Sequence, residues 1–201
     1  EFFTQKELVY MTKEVDFYFD FISPYSYLAH QKIKAIKNVI FNYKPVLVGG
    51  LHNLQGITAP AFIKAKLKHM ISDCDLIAKK DKFNFVWNSR FPINSLNIMR
   101  GYLFINDTNK NLYLDVMFDA YWKNNLDISN EVTLKSLLKK CKIDSSDFYA
   151  AIKSPKIKDE LKLVTQEAHD KEIFGTPSFV VNNKIFWGQD RLEFALDEYN
   201  K

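Results

Sequence analysis

The sequence predicts an α/β domain interrupted by a block of helices, in the order βαβ, helical insertion, ββα. Three observations carry that order. An aromatic, β-branched run at residues 15–21 passes through Ser23-Pro24 into a helical pattern and then into a second apolar run. From about Ala59 to Lys171 the apolar residues recur at helical rather than alternating spacing. Two short β-prone runs then flank Asn182-Asn183, a pair tolerant of the positive φ that a two-residue hairpin turn needs.

Val15 to Phe21 reads as the first strand, closed by Ser-Pro. Tyr25, Ala29, Ile33, Ile36 and Ile40 then form one helical stripe, so a helix is expected from Pro24 to about Ile40. Phe41 to Val48 reads as a second strand ended by Gly49-Gly50. Two strands joined this way are parallel, because the crossover helix is what makes parallel pairing reachable. In the helical block, Ile63, Leu67, Met70, Cys74 and Ile77 recur at four-three-four-three, which places Cys74 in a core. An aromatic loop, Phe83 to Pro92, precedes a helix from Ser95, which can cap it, through Leu103. Further helices are expected over Leu112–Tyr121, Leu134–Cys141 and Pro155–Lys171, the last with Ile157, Leu161, Val164 and Ala168 as its buried stripe. Strands at Ser178–Val181 and Lys184–Trp187 and a final helix capped by Asp190 complete the chain.

Composition narrows the function classes. A chain of 201 residues with 47% hydrophobic and 26% charged residues has the makeup of a globular domain. The net charge of +4 comes from lysines scattered among acids, without the arginine–aromatic interleaving that grips nucleic acid, so no nucleic-acid partner is expected. No apolar run reaches membrane-spanning length, and the opening residues lack signal-peptide character; no membrane partner is expected. Met11 is a candidate native start, with Glu1 to Tyr10 upstream of it. Cys74 and Cys141 are far apart and in no CxxC spacing, which fits free thiols in a reducing compartment. His30, His52, His69 and His169 show no ligand spacing, so no metal site is expected.

The stretch with chemical promise is Ser23-Pro24-Tyr25-Ser26. Ser23 falls at the helix N-cap and Pro24 at the first helical position, where its missing N–H costs nothing. A strand that delivers a hydroxyl to the positive end of a helix dipole is suited to hold an anion such as a thiolate. In parallel sheets ligands collect at the carboxyl ends of strands, which is where Ser23 lies. Trp87, Phe91 and Trp187 are candidates to wall an aromatic substrate pocket.

The βαβ…ββα order with a reactive residue at a helix start is that of a thioredoxin-like fold. Residues 17–29, Phe-Tyr-Phe-Asp-Phe-Ile-Ser-Pro-Tyr-Ser-Tyr-Leu-Ala, resemble the opening of the 2-hydroxychromene-2-carboxylate isomerases and the related kappa-class glutathione transferases. Val48-Gly49-Gly50-Leu51, Phe91 to Leu96, Phe174 to Phe179 and Phe186 to Arg191 agree in order and spacing. The resemblance implies a DsbA/kappa-class arrangement: a thioredoxin-like domain at 15–57 and 172–201, with an α-helical subdomain inserted at 58–171.

The resemblance also implies roles. Ser23 would stabilise a glutathione thiolate that adds reversibly to an enone-like aromatic substrate. Where disulfide oxidoreductases of this fold carry CxxC, this chain has Ser23 and Ser26, so dithiol exchange is excluded there. Thr176 and a cis Pro177 would pair with the cysteinyl unit of glutathione as an added strand. Gln189 and Asp190 would hold its γ-glutamyl end, with Thr58 in the loop where the family usually has asparagine after the glycine. Tyr25, Asn94 and Trp87 would border the substrate. Lys64 and Lys66 match basic residues near the glycyl end. The implied partners are glutathione and a small aromatic or electrophilic substrate, the implied assembly a homodimer and the implied location cytoplasmic, or the mitochondrial matrix in a eukaryote. A kappa-like transferase and a non-catalytic thioredoxin-fold binding protein are the alternatives.

Overall fold

The aromatic run forms its strand by alternation: in β1 (Glu14–Phe19), Val15, Phe17 and Phe19 are fully buried. This is seen in a computed structural model that describes residues 13–201. Met11 and the segment Glu1 to Tyr10 lie outside those residues. β1 pairs in parallel with β2 (Ile40–Pro45), Phe17 opposite Tyr43, and antiparallel with β3 (Ser178–Val181), Tyr18 opposite Ser178. β4 (Lys184–Trp187) completes a sheet of order β2-β1-β3-β4, turning back from β3 through Asn182 and Asn183, both at positive φ. The two faces of β1 serve two cores. Phe17 and Phe19 pack with α1 (Pro24–Ile33), α5 (Asp107–Trp122) and α9 (Leu192–Tyr199), whereas Tyr18 joins Val46, Leu51, Ala168 and Ile173 beneath α2 (Val48–Leu54) and α8 (Pro155–Asp170).

Two expected boundaries are corrected. The first helix ends at Ile33, not near Ile40: Ile36 is only part-buried, and Ile40 lies half-exposed in β2. The stripe through Ile36 and Ile40 is a coincidence of spacing, overridden by the β-branched and aromatic run Val39-Ile40-Phe41. The second strand stops at Pro45, and Val48-Gly49-Gly50 opens α2 instead of closing a strand. That helix has no local side-chain cap; distant groups supply it, the Leu47 N–H donating to Thr165 Oγ1 (3.1 Å) and the Val48 N–H to Asp20 Oδ2 (3.0 Å). Such a cap is invisible to local reading.

The helical block runs as α3 (Lys64–Asp81), α4 (Leu96–Phe104), α5, α6 (Glu131–Lys140), α7 (Ser145–Lys153) and α8. Cys74 is fully buried, and burial pushes its thiol up to about 12. α7, capped by Asp144, goes beyond the expected helices. Ser95 does not cap α4; Asn94 does that work, its Oδ1 accepting from the Leu96 N–H at 2.9 Å. Asp190 likewise does not cap α9: its carboxylate pairs with Arg191 at 2.9 Å. Among the described residues no helix is long and apolar enough to cross a membrane, and no His/Cys/Asp/Glu group is arranged to hold a metal.

Candidate functional site

At the carboxyl end of β1 the chain turns through Asp20-Phe21-Ile22 and enters α1 at Ser23. Ser23 is the N-cap, and its Oγ accepts the Ser26 N–H at 3.1 Å. The same hydroxyl donates to the Thr176 carbonyl, also at 3.1 Å, across the whole length of the helical insertion. The Thr176–Pro177 bond is cis, and Gly188 N–H donates to the Pro177 carbonyl at 2.9 Å, which draws the loop after β4 to the same edge. Ser23, Thr176 and Pro177 are therefore one cluster. Pro24 has no N–H, and the Tyr27 N–H returns to the Ser23 carbonyl at 3.2 Å. The Tyr25 N–H is the first-turn donor left for a ligand, where the helix dipole favours negative charge. Two hydroxyls of this segment, Ser26 Oγ and Thr176 Oγ1, are buried with no hydrogen-bond partner among the described residues.

Other expected site residues are placed further off. Tyr25 OH donates to Asp73 Oδ2 on α3 at 2.8 Å, tying the first turn of α1 to the helical insertion; burial, then Asp73, raises its pKa. The Gln189 side chain accepts from Lys32 Nζ at 2.6 Å. Lys32 follows Ser23 by nine residues, about 14 Å along the helix, so this amide braces the flank of α1 rather than its tip. Asp190 is exposed and paired with Arg191. Thr58 is exposed beyond the end of α2, Asn94 is exposed at the start of α4, and Lys64 and Lys66 are exposed on α3. Trp87 packs edge-on against Phe91 (4.9 Å between centroids) and Trp122 (5.5 Å).

Two residues complete the site that sequence reading passed over. Trp122, fully buried, donates its indole N–H to the Phe21 carbonyl at 2.8 Å and so anchors the Trp87 cluster to the turn before Ser23. Asp20 is buried, with its carboxylate accepting from the Ile22 N–H at 3.1 Å, the Val48 N–H at 3.0 Å and the Ser95 hydroxyl. Burial outweighs those bonds and pushes its pKa up to about 6. One carboxylate thus fastens the Ser23 turn to the starts of α2 and α4. The available signal was an acid set inside an aromatic strand run, where a charge has no reason to be unless it is held. Phe174 and Trp187, both partly exposed, stack edge-on at 4.9 Å beside Thr176. Gly175 lies beneath that pair, and a Cβ there would meet Trp187 Nε1 at 2.9 Å.

Comparison with known proteins identifies the family and the fold. A family model described as a DSBA-like thioredoxin domain matches residues 14–200. The chain is 27% identical over 194 residues to a 2-hydroxychromene-2-carboxylate isomerase of Sphingobium xenophagum, covering 94% of this chain and 98% of that protein. It is 23% identical over 201 residues to glutathione S-transferase kappa 1 of Homo sapiens, covering 91% and 89%. A solved 2-hydroxychromene-2-carboxylate isomerase structure superposes with a TM-score of 0.85 at 24% identity, covering 92% of this chain and 94% of that one, and shares the fold.

Proposed function

The chain belongs to the DSBA-like thioredoxin domain family, and on that premise we propose that it is a glutathione-dependent isomerase of the 2-hydroxychromene-2-carboxylate type. The observation that carries the proposal is Ser23: a buried hydroxyl at the N-cap of α1, facing a cis-proline loop, in a chain whose full-length relatives include isomerases of that name. The residues present fit glutathione, which would supply a nucleophilic thiol. Ser23 Oγ–H and the Tyr25 N–H are donors to a thiolate, and the unpartnered hydroxyls of Ser26 and Thr176 leave polar groups in want of a ligand. Gln189 and Asp190 would contribute through the loop that Gly188 ties to Pro177, since the Gln189 side chain is engaged by Lys32. The aromatic cluster of Trp87, Phe91 and Trp122 would exclude water from a flat substrate.

The Ser23 proton is committed to the Thr176 carbonyl, so stabilising a thiolate means redirecting it while Oγ keeps the Ser26 N–H. Exchanging a neutral hydrogen bond for a charged one gains about 1–2 kcal/mol, or roughly one pKa unit. Ser23→Ala should therefore raise the pKa of bound glutathione by about one unit, read by ultraviolet thiolate absorbance, and slow turnover of a hydroxychromene carboxylate near neutral pH about tenfold. Unchanged absorbance and turnover would refute the thiolate role. Accumulation of a glutathione adduct with a chloronitrobenzene electrophile, with no isomerisation, would favour a kappa-like transferase, the reading the human relative supports. Absence of any glutathione-induced thermal shift would favour a binding protein. A reducing, cytoplasmic setting suits this reading, because Cys74 and Cys141 are free, buried thiols. A homodimer is part of the same proposal and is checked by light scattering.

A further inference from the structure

Away from Ser23, α4, α6, α7 and α8 border an open pocket of about 570 Å³. No residue of the Ser23 cluster lines it. Arg100, Lys135, Lys153 and Lys158 reach it from all four helices, against the single carboxylate of Glu131. Glu131 is engaged by Lys135 at 2.7 Å, and no carboxylate among the described residues lies within ion-pair distance of Arg100, Lys153 or Lys158. Two residues of its lining carry a buried polar atom without a hydrogen-bond partner among the described residues, Arg100 at Nε and Tyr149 at Oη. Burying a guanidinium N–H without an acceptor is costly, and few native polar groups are left so. Of the seven unpartnered buried side-chain atoms among the described residues, two belong to the Ser23 segment and two to residues lining this pocket. The second set offers donors and positive charge in a concave space of ligand size.

We propose that this pocket binds a small polyanion, a molecule carrying at least two phosphate or carboxylate groups. Arg100, rigid and planar, would present Nε and one terminal nitrogen to an anionic group, since its other terminal nitrogen leans on the Ile152 carbonyl at 3.5 Å. Lys153 and Lys158 would hold the second group. The N-terminus of α7 is not needed for this, because Asp144 Oδ1 already accepts the Ser146 and Asp147 N–H groups at 2.8 and 3.0 Å.

The test is calorimetric titration of the full chain with inorganic pyrophosphate and, separately, with citrate, at constant ionic strength. The expected result is saturable one-to-one binding of at least one probe, the tighter of the two identifying phosphate or carboxylate chemistry. The double variant Lys153→Gln/Lys158→Gln, which alters groups at the helix surface, should weaken binding about tenfold or more, and Arg100→Gln should do the same. Ser23→Ala should leave binding unchanged. Absence of saturable binding of both probes at millimolar concentration would overturn the proposal. So would binding that the folded double variant retains in full, or binding that Ser23→Ala abolishes.

Discussion

Asp20→Asn isolates the buried carboxylate that fastens the site together. The fold raises its pKa from 3.8 to about 6, because burial penalises the charged form more than three hydrogen bonds favour it. A shift of about two units corresponds to about 3 kcal/mol at about 1.4 kcal/mol per unit. The carboxyl binds its proton more tightly in the native state than in the unfolded one, so acid favours the fold. The stabilisation is fully present below pH 3.8 and is lost as pH rises through about 6. An asparagine has no such dependence. It keeps one acceptor oxygen and leaves the Ile22 or the Val48 N–H unpaired, a pH-independent cost of about 1–3 kcal/mol. Urea denaturation of wild type and variant, followed by circular dichroism from pH 3.5 to pH 7.5, reads the difference directly. Other titrating groups, the buried His30 among them, cancel in that difference. In acid, where the buried carboxyl is neutral like the amide, the variant should be the weaker by about 1–3 kcal/mol, and the difference should shift by about 3 kcal/mol in the variant's favour, closing or reversing, as pH rises past 6. Parallel profiles would refute the reasoning, since they would mean that Asp20 titrates alike in both states.

Gly101→Ala should destabilise the helical block by about 2 kcal/mol or more in urea melts. The new Cβ would collide with the Phe148 ring and sit 2.6 Å from the Tyr113 hydroxyl, inside a fully buried contact. Trp122→Phe removes the donor to the Phe21 carbonyl and should cost about 1–3 kcal/mol; a red-shifted emission of the remaining tryptophans would report the loosened cluster around Trp87.

Legibility followed the range of the interaction that sets each feature. α8 was readable end to end because Ser154 caps it locally, Pro155 starts it, and its buried stripe repeats within the helix. The hairpin was readable because Asn182 and Asn183 carry their own turn preference. α2 was misread as the end of a strand because its caps come from Asp20 and Thr165, neither of them a neighbour in sequence. α7 escaped because nine residues offer one full stripe, Phe148 and Ile152, too short to stand out from its surroundings. At the site, the Ser23 cap and Pro24 were legible from local chemistry. The contact between Ser23 and Thr176, with its cis proline, was reachable only through resemblance, since no spacing rule joins residues 153 apart.

The same distinction explains how a site without cysteines keeps its shape. Neither Ser23 nor Ser26 can form a cross-link, so the turn before α1 must be held by bonds that reach across the chain. Ser23 ties it to the Thr176 loop, Trp122 ties it to α5, and Asp20 ties it to the starts of α2 and α4. Of these, only the Ser23 proton lies where a ligand would take it over. The other two address backbone groups at Phe21, Ile22 and Val48. A ligand anion at the tip of α1 would therefore exchange one hydrogen bond, that of Ser23 to Thr176, and leave the frame intact. Preorganisation of this kind spares the site the cost of ordering itself around each new ligand. On the proposed reading, the helix end and the Tyr25 N–H would then supply a larger share of anion stabilisation than the serine hydroxyl alone, because they would give up no protein partner to provide it.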